Sequence, residues 1–408
     1  MSEMTPTRMA QLIRVAALLL AGIAWVALAS WLWRTRVPDG LSLPDVDART
    51  VFGARVVEEA EDYRRVLRAL WAGLTVSQLG ALFLLVCAAP RIELRLRGGT
   101  ILRGIQLGLV SVALLWVVWL PFAVVGLWWR RKHDISRLGY GDLVFEPWPR
   151  YLGEVLVTIG AVAVAMVLAR RLGRRWWLVG GPAFVAIVGT VLVLTPFVLT
   201  PRLSALDDRR LTTQIERLAR KEGVGEVEVQ VENASRRTTV PNAEAIGVGP
   251  TTRVVLWDTL LDGRFTDREI EAISAHELGH VGRDHLWRGI GWFALFALPS
   301  AWLLAYVTDR RGGLDRPSVV PYAVLVVVAI QLALLPATNV VSRRYEAEAD
   351  WISLEATRDP AATTSLFRKF AVEALDPPRE PAWVHVMLAT HPDLADRVAM
   401  ARAWAALR

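Results

Sequence analysis

Seven apolar runs decide what this chain can fold into. They lie near 15–33, 67–89, 104–129, 151–169, 176–200, 287–307 and 318–340. At 1.5 Å per residue each is about long enough to cross a hydrocarbon core of roughly 30 Å as a helix. With 53% of its residues hydrophobic, the chain carries more apolar surface than soluble domains of this length bury. The expected fold is therefore mainly α: a polytopic membrane protein with about seven transmembrane helices and a small α/β region built from the polar segments. The first run follows Arg8 and Arg14, yet it is long and lacks a small-residue cleavage site, so it reads as a span and not as a signal peptide.

Composition narrows the partners. The 18 tryptophans gather at run ends, as in Trp128–Trp129 and Trp176–Trp177, where an indole buries its ring and still hydrogen-bonds at the headgroup level, so membrane lipids are expected partners. The net charge of +7 comes from arginines scattered through loops, with no basic block interleaved with aromatics, and nucleic acid is not an expected partner. The lone Cys87 can form neither an intrachain disulfide nor a cysteine metal cluster, so any metal must use His, Glu or Asp.

Seven spans put the termini on opposite sides. The long segments 34–66, 130–150, 201–286 and 341–408 then share one side, and the short connections 90–103, 170–175 and 308–317 share the other. Arginines load both sides, among them Arg91, Arg95, Arg97, Arg170, Arg171, Arg174 and Arg175 against Arg34, Arg36, Arg64, Arg65, Arg130 and Arg131, so charge does not orient the chain. Residues 1–200 read as a membrane region with about five spans, and 201–408 as a second region containing spans near 287–307 and 318–340. Within the latter, 203–223 patterns as an amphipathic helix stopped by Gly223, 226–232 and 253–257 as strands, and Thr266 or Asp267 as the cap of a helix beginning DREIEAISAHELGHVGRDH.

That helix carries the chemistry. Residues four apart on a helix differ by about 40° of rotation, so His276 and His280 project from one face and can grip one metal, with Glu277 beside them. This is H-E-x-x-H: two imidazoles hold zinc, and the carboxylate takes a proton from water whose pKa the metal lowers to around 7. A catalytic zinc needs a third protein ligand. His285, five residues beyond His280 and about 140° round the helix, is poorly placed for it, and the metzincin pattern requires a histidine where Leu286 stands. His285 is therefore expected to support the site from behind or to be structural. The hairpin of the last two spans returns the chain as SRRYEAEADWISLEA beside the histidines. There Glu346 and Asp350 share a helical face, which makes Glu346 the expected third ligand and Asp350 the acceptor for a ligand histidine's free ring nitrogen. Glu348, rotated by about 200°, is expected to point away and to tolerate replacement.

AHELGH followed by His285, two spans, SRRYEAEAD, and THPDLADRV near the C-terminus resembles the type I CAAX prenyl protease family of integral-membrane zinc metallopeptidases. The resemblance covers the whole topology, with specific motifs from about residue 236 onward. It implies one zinc per chain on His276, His280 and Glu346, with Glu277 as the catalytic carboxylate. It implies that Asn242, Ala243 and Glu244, in VPNAEAIG, hold an extended substrate by strand addition. It also implies that His391 and Arg397 act near the scissile carbonyl as oxyanion stabilisers, and that the catalytic side faces the cytoplasm. The expected function is that of a zinc endopeptidase acting near the membrane face on peptides or proteins, membrane-associated or lipidated substrates included. A quality-control metalloprotease of the heat-shock type and a non-enzymatic transporter or scaffold are the alternatives. A transporter would place ionisable residues near span centres, and these runs are mostly free of them.

Overall fold

The computed structural model describes residues 6–199, 203–247 and 251–408; residue 200, the end of the fifth apolar run, lies outside them. The chain proceeds through α1 (Pro6–Leu32), α2 (Ala48–Phe52), α3 (Ala54–Glu93), α4 (Thr100–Lys132), α5 (Tyr140–Phe145), α6 (Trp148–Leu172) and α7 (Trp177–Leu199). There follow β1 (Leu203–Ala205), α8 (Arg209–Lys221), β2 (Glu228–Glu232), β3 (Ala243–Ile246), β4 (Arg253–Trp257) and α9 (Asp267–Gly282). The last part is α10 (His285–Asp309), α11 (Val320–Thr357), α12 (Pro360–Glu373), α13 (Ala382–Met387) and α14 (Leu394–Ala406).

The long helices follow the apolar runs. Six of them, α3, α4, α6, α7, α10 and α11, are long and apolar enough to cross a membrane, and α1 adds a shorter apolar stretch over Leu19–Leu32. The protein is thus a multi-pass membrane protein, mainly helical, with one small sheet among the described residues. Large apolar side chains such as Leu20, Leu84, Val117, Leu156 and Ile187 stay exposed on these helices, as suits surfaces solvated by lipid. Neighbours run α3–α4–α6–α7–α10–α11 and back to α3, with α1 against α10.

Polar contacts sort the connections into two faces. On one, Arg174 pairs with Asp309 at 2.9 Å and Glu93 with Arg103 at 3.4 Å, while Glu93 accepts from the Ser318 amide. On the other, Ser136 bridges to Thr238, Arg64 pairs with Asp376 at 2.7 Å, and the Arg36 amide donates to Glu348. The grouping of long and short segments read from span parity is the one these contacts make.

On the long-segment face the sheet has the order β1-β2-β4-β3. β2 and β4 are parallel, with Val229 opposite Val254 and Val231 opposite Leu256, while β1 and β3 flank them antiparallel. The core beneath it joins Leu211 and Ile215 of α8, Val254 and Leu256 of β4, Leu278 of α9, Phe367 of α12 and Val398 of α14. The amphipathic helix is shorter than its pattern suggests. Asp208 accepts from the amides of Arg210 and Leu211 and so starts α8 there, which leaves 203–205 to pair as β1. Of the two candidate caps, Thr266 is the N-cap of α9, in a reciprocal capping box with Glu269.

α9 is the element around which the others are arranged, packing on α11, α8, α12 and β3. Its close approach to α11 depends on Gly279: a Cβ there would meet Ile352 Cγ2 at 3.3 Å and Ala349 Cα at 3.4 Å. Nearby, at the C-cap of α8, both carboxylate oxygens of Glu222 are buried with no hydrogen-bond partner among the described residues. Burial, the leading influence, pushes this carboxyl up to about 8. A raised carboxyl is protonated in the folded state while the unfolded chain ionises, so stability is lost as pH climbs from the ordinary carboxylate range to about 8. Glu222→Gln is expected to stabilise the fold at pH 8 and to leave it little changed at pH 4. Thermal unfolding of both proteins at the two pH values checks this, and an equal shift at both would contradict it.

Candidate metal centre

His276 and His280 lie one turn apart on α9 and face α11. Their Nε2 atoms are 3.2 Å apart. Across the gap, Glu346 of α11 sets Oε2 3.2 Å from His276 Nε2 and Oε1 3.5 Å from His280 Nε2. Ligand atoms of all three residues fall within 4.8 Å of one another.

This donor set suits a divalent cation. Two imidazole nitrogens converge on each other, and Glu346 Oε2 is buried without a hydrogen-bond partner among the described residues; a cation between them would satisfy all three. Two nitrogens and one carboxylate are the donor types of a catalytic zinc site. Burial lowers the proton affinity of His276, but its hydrogen bond to Asp350 and the Glu346 carboxylate beside it overcome this and raise the pKa to about 10. A metal must therefore compete with a proton at this ring.

Behind His276 lies a second tier. Its Nδ1 is 2.8 Å from Asp350 Oδ1, and Asp350 in turn accepts from Arg397 at Nε (2.7 Å) and at a terminal nitrogen (2.6 Å). All three side chains are buried. Arg397, expected near the scissile carbonyl, has its guanidinium held behind the histidine by Asp350 and 4.1 Å from the centroid of the Phe367 ring. His391 is nearer the reaction space, with Nε2 3.2 Å from Glu346 Oε2 and a largely exposed side chain.

Glu277 points from α9 to the sheet. Its Oε2 accepts from the Ala245 amide at 3.0 Å, and burial raises its pKa against the charges of His276 and His280. β3 is the last strand of the sheet, so Ala243 and Glu244 lie on the strand that borders Glu277. Asn242 precedes it and offers its carbonyl to the Trp257 amide. Ala245, the residue that touches Glu277, was not singled out by the sequence pattern; alternation along the strand is the signal that brings it into line with Ala243.

The largest departure is Glu348, expected to point away from the Glu346 face and to tolerate replacement. It is fully buried and accepts from Arg283 Nε at 2.7 Å, the Arg36 amide at 2.9 Å, Arg288 at 3.3 Å and, at His285 Nε2, a fourth partner at 3.2 Å. The face opposite Glu346 does not meet solvent because the start of α10 and the chain after α1 cover it. His285 also departs from simple helical geometry. Asp284 has φ +54°, which breaks α9 from α10 and turns the His285 ring back to within 2.9 Å of His280, Nδ1 to Nδ1.

Residues 205–405 match the model of peptidase family M48. An uncharacterized metalloprotease of Bacillus subtilis, YhfN, is 27% identical over 250 residues, 58% of either chain. A CAAX prenyl protease 1 homolog of Oryza sativa subsp. japonica is 24% identical over 227 residues, 51% of either chain. The chain thus spans between half and three-fifths of the length of these curated relatives. The crystal structure of S. mikatae Ste24p superposes with a TM-score of 0.73 at 16% identity, covering 93% of this chain and 96% of that one, so the two share a fold.

Proposed function

We propose that this chain, which belongs to peptidase family M48, is a membrane-embedded zinc endopeptidase that cuts extended peptide segments close to the membrane face. The observation that carries the reading is the convergence of His276, His280 and Glu346 within 4.8 Å, directly beside a strand edge bordered by Glu277. In this reading His276, His280 and Glu346 hold the metal. Zinc, when bound, supplies Lewis acidity and lowers the pKa of water to around 7.

The chain's own residues do the rest. A substrate strand added along the outer edge of β3 presents its carbonyl between Glu277 and the metal ligands. Glu277 accepts the proton from the attacking water and delivers it to the leaving amine, while the Ala245 amide holds its carboxylate in place. His391 Nε2 donates to the oxygen that becomes negative as the peptide carbonyl is attacked. Asp350 and Arg397 hold His276 in the tautomer that turns Nε2 to the metal. Lipidated substrates and a cytoplasmic catalytic side belong to the same proposal. Supporting the former are the name of the rice relative and the position of the site, whose His280 is seven residues in sequence from Trp287 in the first turn of the α10 span.

Purified protein is expected to contain one zinc per chain, and His280→Ala to lose it. Elemental analysis decides: absent zinc, or zinc undiminished by the substitution, would end the peptidase reading.

A further inference from the structure

The two histidines of the centre are backed in different ways. His276 rests directly on a carboxylate, Asp350. Among the described residues no carboxylate backs His280; its Nδ1 meets His285 Nδ1 at 2.9 Å, and the other nitrogen of that ring, Nε2, lies 3.2 Å from Glu348 Oε2. We propose that Glu348, acting through His285, is a positioning residue for His280, fixing the ring orientation and tautomer in which His280 holds the metal. The inference rests on the reading of His280 as a metal ligand.

The proton count along this file is determined by its two ends. A ligand His280 gives its Nε2 lone pair to the metal, so its Nδ1 carries the hydrogen and donates. His285 must then accept at Nδ1, which leaves the hydrogen of its neutral ring on Nε2, facing Glu348. Glu348 can only accept when ionised, so it selects that tautomer of His285. Each neutral ring carries one hydrogen, and both contacts in the file are made.

The surroundings hold the file rigid. Tyr345 stacks on His285 with ring centroids 4.4 Å apart and planes 10° from parallel, and its hydroxyl donates to the Leu32 carbonyl. Arg283 and Arg288 pair with the buried Glu348 at 2.7 and 3.3 Å, and Arg288 also donates to the Arg34 carbonyl. Glu348 accepts from the Arg36 amide. The chain leaving α1 therefore clamps the far end of the file, tying the N-terminal membrane region to the orientation of His280. The left-handed Asp284 makes the arrangement possible, because on an unbroken helix His285 would lie about 140° from His280. Asp is among the few residues that adopt this conformation readily.

The test measures zinc affinity by chelator competition, and the visible spectrum after cobalt substitution, on the full chain in detergent. His285→Phe keeps a ring to stack on Tyr345 but removes both hydrogen bonds. It is expected to weaken zinc binding by roughly 10- to 100-fold, the range typical of lost outer partners of metal ligands, and to alter the cobalt bands. His285→Gln, which can both accept and donate, is expected to recover much of the affinity. Glu346→Gln serves as the reference for loss of a ligand. Unchanged zinc affinity in His285→Phe, alongside loss in Glu346→Gln, would overturn the positioning role and leave the metal site standing. Unchanged affinity in both would overturn the metal site itself. Should His285→Phe fail to fold, as judged by circular dichroism, Glu348→Gln takes its place. Its amide can offer hydrogen to His285 Nε2 and so release the tautomer, and zinc affinity is expected to fall roughly 10-fold; an unchanged value would again overturn the proposal.

Discussion

Glu277→Gln is expected to leave the fold and the bound zinc intact while turnover falls by roughly 100-fold or more, the scale that general acid–base catalysis contributes. The amide is nearly isosteric with the carboxylate, and its carbonyl can still accept from the Ala245 amide, which Glu277 Oε2 meets at 3.0 Å. What is lost is the ability to take and return a proton. Glu277 is not among the three residues whose ligand atoms converge, so metal content should hold. Glu346→Ala removes one of those three and should lower zinc content together with activity. Zinc analysis and peptide cleavage on the same preparations separate the roles. Zinc loss in the Glu277 variant, or turnover within a few-fold of the parent, would undo the assignment.

Much of this arrangement is legible in the sequence because it depends on few, strong terms. Long apolar runs specify helices in lipid almost regardless of detail, since no other backbone structure satisfies its own hydrogen bonds within a single segment. The strand read at 253–257 appears as β4 with those bounds. His276 and His280 are neighbours by helical spacing alone, and the return of the chain through a two-span hairpin brings Glu346 opposite them.

The rest fails for identifiable reasons. Reading one face of α11 as functional assumes that its other face meets solvent, but Glu348 is covered by the start of α10 and by residues 34–36, a contact some 310 residues apart in sequence. The basic residues Arg283 and Arg288 flanking His285, with no acid among the first residues of α10, are the available hint that a counter-ion comes from elsewhere. His285, expected behind the site or structural, stands 2.9 Å from His280, but the positive φ at Asp284 that turns its ring there is not visible in helical spacing. Arg397 sits in a helix-start motif that says nothing of depth; its burial comes from α14 packing against α11 and α12.

Asp350→Ala should be the most destabilising change at the site, and it separates folding from metal binding. Asp350 is 3% exposed and accepts two bonds from Arg397, which is 6% exposed. Without the carboxylate, a buried guanidinium remains with no opposite charge in contact, a change that costs about 3–5 kcal/mol when one partner of a buried pair is removed. Replacing both, as Asp350→Ala with Arg397→Met, removes the stranded charge and is expected to recover most of that loss, because the methionine also fills space over Phe367. Zinc affinity should behave otherwise. His276 loses the acceptor for its Nδ1 in the single and the double variant alike, so both should bind zinc roughly 10- to 100-fold more weakly than the parent. Denaturation of the metal-free proteins and zinc titration of the same samples give the two readings. If stability and affinity recover together in the double variant, Asp350 acts on the metal centre through folding alone and not through the orientation of His276.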